Sequence, residues 1–295
     1  MKNAFFAALM LALPGIALAQ VPPPISSQVE TVYSEAQRAR DEDLSRRLVQ
    51  SLLRPSVNLE GQFTRWKTPI CPRIVGLTPT AAHVVDRRIR DIATQVGAPV
   101  NRTDPCHPNI VILVTPTPQE TLDDVAKADF MLVASARSKD RMAVKHPVQA
   151  YYFGLYRDFK GRTFWDMDWE FYLDEPPRVA AKMTRISTGI KAEIGVATII
   201  VDANAIAGLT LGSVGDYLGL MALAQTPATG RCQPAPSIAN LFLKECATDV
   251  RSDSLSDVDL AMLTSLYQAS EEPERLQVNR LLMGMTRYLE GAHGK

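Results

Sequence analysis

The residues able to do chemistry in this chain are few and widely spaced. Its four histidines are His83, His107, His146 and His293, and no two of them lie within five residues of each other. A zinc peptidase needs two histidines one helical turn apart on one face, with a glutamate between them as base. No such pair exists here. The nearest match to a serine nucleophile elbow is Leu211-Gly212-Ser213-Val214-Gly215. An elbow requires glycine two residues before the serine as well as two after, and Leu211 holds the first of those positions, so Ser213 reads as a helix N-cap. The sequence therefore implies no catalytic set, no metal site and no cofactor.

Four cysteines, Cys71, Cys106, Cys232 and Cys246, show no C-x-x-C spacing. An even count suits two disulfides in an oxidising compartment. Four cysteines allow three pairings. Cys71 with Cys106 and Cys232 with Cys246 are favoured, because each pair closes a local loop.

One segment is richer. Thr163 to Glu175 interleaves aromatic and acidic side chains, and Trp165, Asp166, Asp168, Trp169 and Glu170 form its centre. Aromatic platforms beside carboxylates bind sugars or cations, and paired carboxylates hydrolyse glycosides. Alternation of this kind also describes an ordinary half-buried strand, with aromatics packed on the sheet and acids in water. That is the first reading; a ligand surface is the second.

These residues need a scaffold. Ser27-Gln28-Val29-Glu30 fits a capping box and opens a helical pattern that runs to Leu53, with a heavily charged face from Glu35 to Arg47 and a stop at Pro55. Residues 54–76 read as extended or irregular. Thr78-Pro79 starts a helix whose apolar face is Val85, Ile89, Ile92 and Val96, and Gly97 ends it. Asn109 to Thr115 is a continuously apolar run, hence a buried strand. A helix over 119–127 follows, then strands over 151–157 and 190–201, the second rich in β-branched residues. Thr210 to Gln225 is apolar almost all round, which marks a buried helix. Helices over 256–268 and 274–289 close the chain. The fold class is α+β, with a mixed sheet, helices, and helical N- and C-terminal parts.

The first residues read as a secretory signal: Lys2, an apolar core from Ala4 to Leu18 interrupted by Pro14, and Ala17-Leu18-Ala19 before Gln20. The expected organisation is a signal over 1–19, a leader and charged helix over 20–56, and one α+β domain over 57–295 with a helical C-terminal part from 233. Cleavage would leave about 275 of the 295 residues, enough for a sizeable core. The 32 basic residues balance the 32 acidic ones, which argues against nucleic acid as a partner. No later stretch is long and apolar enough for a membrane span, and Asp202, Asn204 and Asp216 break the best candidate. The expected address is the periplasm.

The order of elements from about 190 to 267 resembles bacterial secreted zincin-like proteins. Ile194 to Val201 stands for the strand, Gly215-Asp216-Tyr217-Leu218-Gly219 for the metal-binding helix motif, Pro236-Ser237-Ile238 for the following turn, and Leu255 to Tyr267 for the last helix. The resemblance implies a zincin-like core. It places Gly215 and Gly219 where the metal-binding histidines belong and Asp216 where the glutamate belongs. What it implies is a scaffold that lacks the metal and the peptidase activity. The reading is thus an exported, non-catalytic binding or structural protein whose partner is an envelope protein or glycan. The alternative is a metal-independent hydrolase or glycan-binding module.

Overall fold

Alternation along two strands fixes the layering of the domain. In β2 (Ile110–Thr115) every second residue is buried: Ile110, Ile112 and Val114 enter the main core. In β5 (Ile190–Asp202), the longest strand, Ala197, Ile199 and Val201 do the same, while Ile200 points to a second, smaller core. Side chains alternate across a strand, so the sheet is covered on both faces. The computed structural model describes residues 25–54, 62–103, 105–133, 142–158, 160–165, 189–226, 230–269 and 274–293.

The sheet has five strands in the order β1-β2-β5-β3-β4. β1 (Pro72–Val75), β2 and β5 run parallel; β3 (Val148–Asp158) is antiparallel to β5 and to the short edge strand β4 (Thr163–Trp165). The sheet is mixed, and the α+β class expected from sequence holds. β5 extends past β2, and a non-strand segment covers the exposed part. Gln62 lays its side-chain amide against β5, donating to the Ile190 carbonyl at 2.8 Å and accepting from the Ala192 amide at 3.1 Å. The Ile194 amide donates to the Arg65 carbonyl at 3.0 Å. These bonds satisfy backbone groups that would otherwise be buried without partners.

The helices follow their caps. α2 (Pro79–Val96) starts with the Thr78 hydroxyl accepting from Ala81 and ends at Gly97, whose φ of 82° only glycine adopts without strain. α3 (Pro118–Ala128) sends Leu122 to the second core, where it meets Val133, Tyr151 and Ile200. After a one-turn helix at Ala203–Ile206 comes α4 (Leu211–Leu223), then α5 (Asp257–Gln268) and α6 (Glu274–His293). α5 opens with a full capping box, Ser256 and Asp259 each bonding to the other's backbone.

The chain divides into two compact units, Met1–Gln37 and Arg38–Lys295. The first helix, α1 (Ile25–Leu52), begins two residues ahead of the expected capping box. Its last turns belong to the second unit, where Leu48, Val49, Leu52 and Leu53 are buried in the main core. The boundary between these compact units falls at 37/38, inside the stretch expected as leader and charged helix over 20–56. The apolar residues that follow the charged face from Glu35 to Arg47 anchor the end of this helix. Among the described residues no helix is long and apolar enough to cross a membrane.

Both expected disulfides are present, Cys71–Cys106 with Cα atoms 6.1 Å apart and Cys232–Cys246 with Cα atoms 5.5 Å apart, and no cysteine is free. The first ties the start of β1 to the loop before β2. The second closes the loop between α4 and α5.

Candidate functional site

α4 carries three of the residues singled out from sequence, and it is buried from Ser213 to Leu223. Its glycines explain how it sits. A Cβ at Gly215 would lie 2.9 Å from Cβ and Cγ of Arg88, and one at Gly219 would lie 2.5 Å from Cδ1 of Ile92. Arg88 and Ile92 are one turn apart on α2. The glycines therefore form the flat face against which α2 packs. An imidazole at either position would have to enter α2, so these two sites are committed to helix packing.

Asp216, between the two glycines in sequence, is buried and holds two partners. The Arg88 guanidinium donates to its Oδ1, and the Leu255 amide donates to Oδ2 at 3.0 Å. Chiefly through that hydrogen bond, and despite partial desolvation, the Arg88 guanidinium is held above its ordinary pKa; the charges of Asp216 and Asp91 add to the effect. The carboxylate is a clamp that joins α4 to α2 and to the approach to α5. Ser213 is not the cap the sequence suggested. Thr210 is the N-cap, its hydroxyl accepting from the Ser213 amide at 3.0 Å and sharing a 2.8 Å bond with the Ser213 hydroxyl. The cap falls there because it sits one residue before the first helical turn, and Ser213 lies inside that turn.

The C-terminal end of α4 has a complete hydrogen-bond account. A helix leaves its last carbonyls without intrahelical donors, and this end is buried. The Leu220 carbonyl accepts from Ala224. The next three accept from aromatic side chains on three other segments: Met221 from the Tyr152 hydroxyl at 2.6 Å, Ala222 from the Trp66 indole at 2.7 Å, and Leu223 from the Tyr267 hydroxyl at 2.8 Å. Burial pushes both tyrosines well above their ordinary pKa, with hydrogen bonds opposing the shift, so they remain protonated donors. Sequence reading missed this cap. Trp66 lies in a stretch with no periodicity, and nothing local links it to Ala222.

The turn after α4 is fixed from α5. Asp259 accepts from the Ser237 hydroxyl at 2.6 Å, the Ile238 amide at 2.9 Å, and the amide and hydroxyl of Ser256 at 3.1 and 3.0 Å. Burial raises its pKa, and these four bonds work against that rise.

The second group of sequence-selected residues starts at the sheet edge. Trp165 is the last residue of β4 and pairs with Leu155, which pairs in turn with Glu193 of β5. Asp166, Asp168, Trp169 and Glu170 lie outside the described residues. Glu193 is buried; its Oε1 accepts from Arg157 at 2.8 Å, and its Oε2 has no hydrogen-bond partner among the described residues. Neither Glu193 nor Arg157 was selected from sequence. A lone Glu on a β-branched strand carries no motif.

The histidines stay apart. His83 shares a 2.7 Å bond with Arg87 on α2, and His146 lies against Gly230, 3.2 Å from where a Cβ would stand. Among the described residues no three of His, Cys, Asp and Glu are grouped so as to hold a metal ion. No protein-family model matches the chain, and no curated protein or solved structure matches it.

Proposed function

We propose that the chain is an exported periplasmic protein with a binding or structural role, built on a zincin-like scaffold in which the metal-binding helix has become a packing element. The observation that carries this reading is the commitment of α4. Gly215 and Gly219 seat α2, Asp216 clamps Arg88 and Leu255, and the helix end is sealed by Trp66, Tyr152 and Tyr267. The scaffold comparison draws support from the order of elements. A long strand leads through one helical turn into a buried helix, and the Ser237–Ile238 turn is then tied down by Asp259. Two disulfides with no free cysteine support an oxidising compartment.

The test combines two measurements on the full chain expressed in a bacterium. N-terminal sequencing of the periplasmic fraction is expected to start at Gln20, and elemental mass spectrometry after chelator-free isolation is expected to find no stoichiometric zinc. Retention in the cytoplasm would remove the export reading. One zinc per chain would remove the non-catalytic one.

A second reading, a glycan-binding surface, is favoured by one row of the sheet. Trp165, Leu155 and Glu193 are register neighbours, and Arg157 pairs with the Glu193 carboxylate, whose second oxygen has no hydrogen-bond partner among the described residues. Titration of tryptophan fluorescence with envelope glycan fragments tests it, and a flat response would end it.

A further inference from the structure

A short segment ahead of β3 is held like a strand without belonging to one. Met142, Ala143, Val144 and Lys145 lie between Gln119 of α3 and Gln149 of β3. Gln119 donates from Nε2 to the Met142 carbonyl and accepts at Oε1 from the Val144 amide, both at 2.9 Å. Gln149 does the same one residue on, donating to the Ala143 carbonyl and accepting from the Lys145 amide, both at 3.1 Å. The carbonyl of one residue and the amide two residues later are the pair that a neighbouring parallel strand engages. Each side-chain amide therefore stands in for a strand neighbour, one on each edge of the segment. Gln62 reads β5 in the same way, through Ile190 and Ala192. Among the described residues, no backbone group of Met142–Lys145 bonds to another backbone group.

Side chains of an extended segment alternate in direction. Met142 and Val144 pack on the second core, formed by Leu122, Val133, Tyr151 and Ile200, while Lys145 is exposed. The four core residues are buried, whereas Met142 and Val144 above them are only half-buried. The glutamine grip touches main chain alone, so it is indifferent to sequence. What the groove selects is an extended segment with apolar side chains at two alternate positions. Grooves that bind extended peptides work on these terms, with main-chain bonds for affinity and alternate pockets for specificity. A strap fixed by side-chain amides near the surface also opens more readily than a laddered strand.

We propose that the groove between α3 and β3 is a peptide site closed in cis by Met142–Lys145, and that its partner is an extended segment of another protein with the pattern apolar-x-apolar. The inference rests on the binding role proposed above and gives it a place and a class of partner. Export and zinc content, which test that role, do not bear on the strap.

The probe is the strap itself, a fluorescein-labelled Met-Ala-Val-Lys-His peptide, with Ser-Ala-Ser-Lys-His as its control; binding is followed by fluorescence anisotropy. In the parent chain the strap competes at an effective concentration of about millimolar. Met142→Ser combined with Val144→Ser removes the apolar occupant and leaves the walls of the groove intact. This double variant is expected to bind the probe about tenfold or more tighter than the parent. Adding Gln119→Ala should weaken that binding by about fivefold. Hydrogen exchange supplies a second readout on the unaltered chain, which decides the matter where the double variant does not fold. The amides of Val144 and Lys145 should exchange through a local opening, well ahead of those of β3. Protection at these two amides equal to that of β3 overturns the proposal, as does a folded double variant that binds neither peptide or both alike. A parent chain that dimerises by exchanging straps also overturns it, because the groove then belongs to a second copy.

Discussion

Replacing Trp66 with phenylalanine isolates the contribution of the α4 cap. The substitution keeps an aromatic ring but removes the indole N–H that reaches the Ala222 carbonyl at 2.7 Å. Trp66 is 1% exposed and Ala222 is fully buried, so water cannot take the donor's place without opening the core. A buried carbonyl left without a donor costs about 1–3 kcal/mol. Shrinking indole to phenyl in a packed site adds about 1 kcal/mol for the space left behind. The sum is about 3 kcal/mol, which for a domain of this size lowers the melting temperature by about 6–12 °C.

Tyr267→Phe is the cleaner variant, because it deletes only the hydroxyl that serves Leu223; about 1.5 kcal/mol is expected. Tyr217→Phe is the internal control. Tyr217 lies on α4 itself and packs edge-on to Phe242 at 4.8 Å between ring centroids. Its hydroxyl serves none of the α4 end carbonyls, so about 0.5 kcal/mol or less is expected. Urea denaturation followed by circular dichroism measures all three, and an unchanged m-value keeps the comparison on the folded state. If Tyr267→Phe and Tyr217→Phe cost the same, the carbonyls do not depend on these donors and the reasoning fails.

Other consequences can be checked by the same means. Gly219→Ala places a methyl 2.5 Å from Ile92 Cδ1 and is expected to cost about 1–3 kcal/mol; adding Ile92→Val should return part of that, and strictly additive costs would show that the two helices do not meet there. Removing Cys232–Cys246, whose cysteines are 14 residues apart, should cost about 3 kcal/mol, and removing Cys71–Cys106, 35 apart, about 4 kcal/mol; paired Cys→Ser variants test the order. Burial raises Tyr152, Tyr217 and Tyr267 above the ordinary 10.0. Their contribution is intact below pH 10 and is lost as pH rises further, because the unfolded chain releases protons that the folded one holds. The slope above pH 10 should approach about 4 kcal/mol per pH unit for the three, and each Tyr→Phe variant should remove about a third of it. Asp158 shifts the other way. Burial pushes its carboxyl up, but bonds from the backbone and side chain of Arg162 and from the Lys160 amide outweigh that and hold it below 3.8. Its support of the β3–β4 turn is present above that value and lost as pH falls through the lowered one; an acid unfolding curve left unmoved by Asp158→Asn would contradict this.

Where a stretch carried its own period or its own cap, the sequence reading and the structure agree closely. Thr78-Pro79 and Gly97 bound α2, the apolar run at 109–115 became β2, and the absence of a polar face on 210–225 marked α4 as buried. Each of these signals is local. The misses are non-local. Trp66 and Gln62 sit in a stretch without periodicity and take their roles from groups more than 120 residues away. β1 is four residues long and shows too little alternation to be recognised. The glycines of α4 were visible as departures from a metal motif. Their use, flattening a helix face for α2, depends on a contact between segments that the sequence does not pair. Cysteine pairing was legible because loop length alone favours nearby partners.

These same contacts bear on where function can reside. A helix that presents ligands to a cleft must leave one face free, and α4 leaves none. Gly215 and Gly219 lie against α2, and Asp216 spends its oxygens on Arg88 and Leu255. The helix end is bonded to three aromatic residues from three segments, two of which, Tyr152 and Tyr267, also belong to elements that carry the core. A substitution that opened α4 to solvent would have to break the helix pair, the carboxylate clamp and the cap together, losing contributions that each exceed about 1 kcal/mol in a fold whose total margin is about 5–15 kcal/mol. The binding role proposed for this scaffold therefore falls on what the main core does not use, and stability and binding should separate cleanly under mutation: Tyr267→Phe should lower the melting temperature and leave binding unchanged.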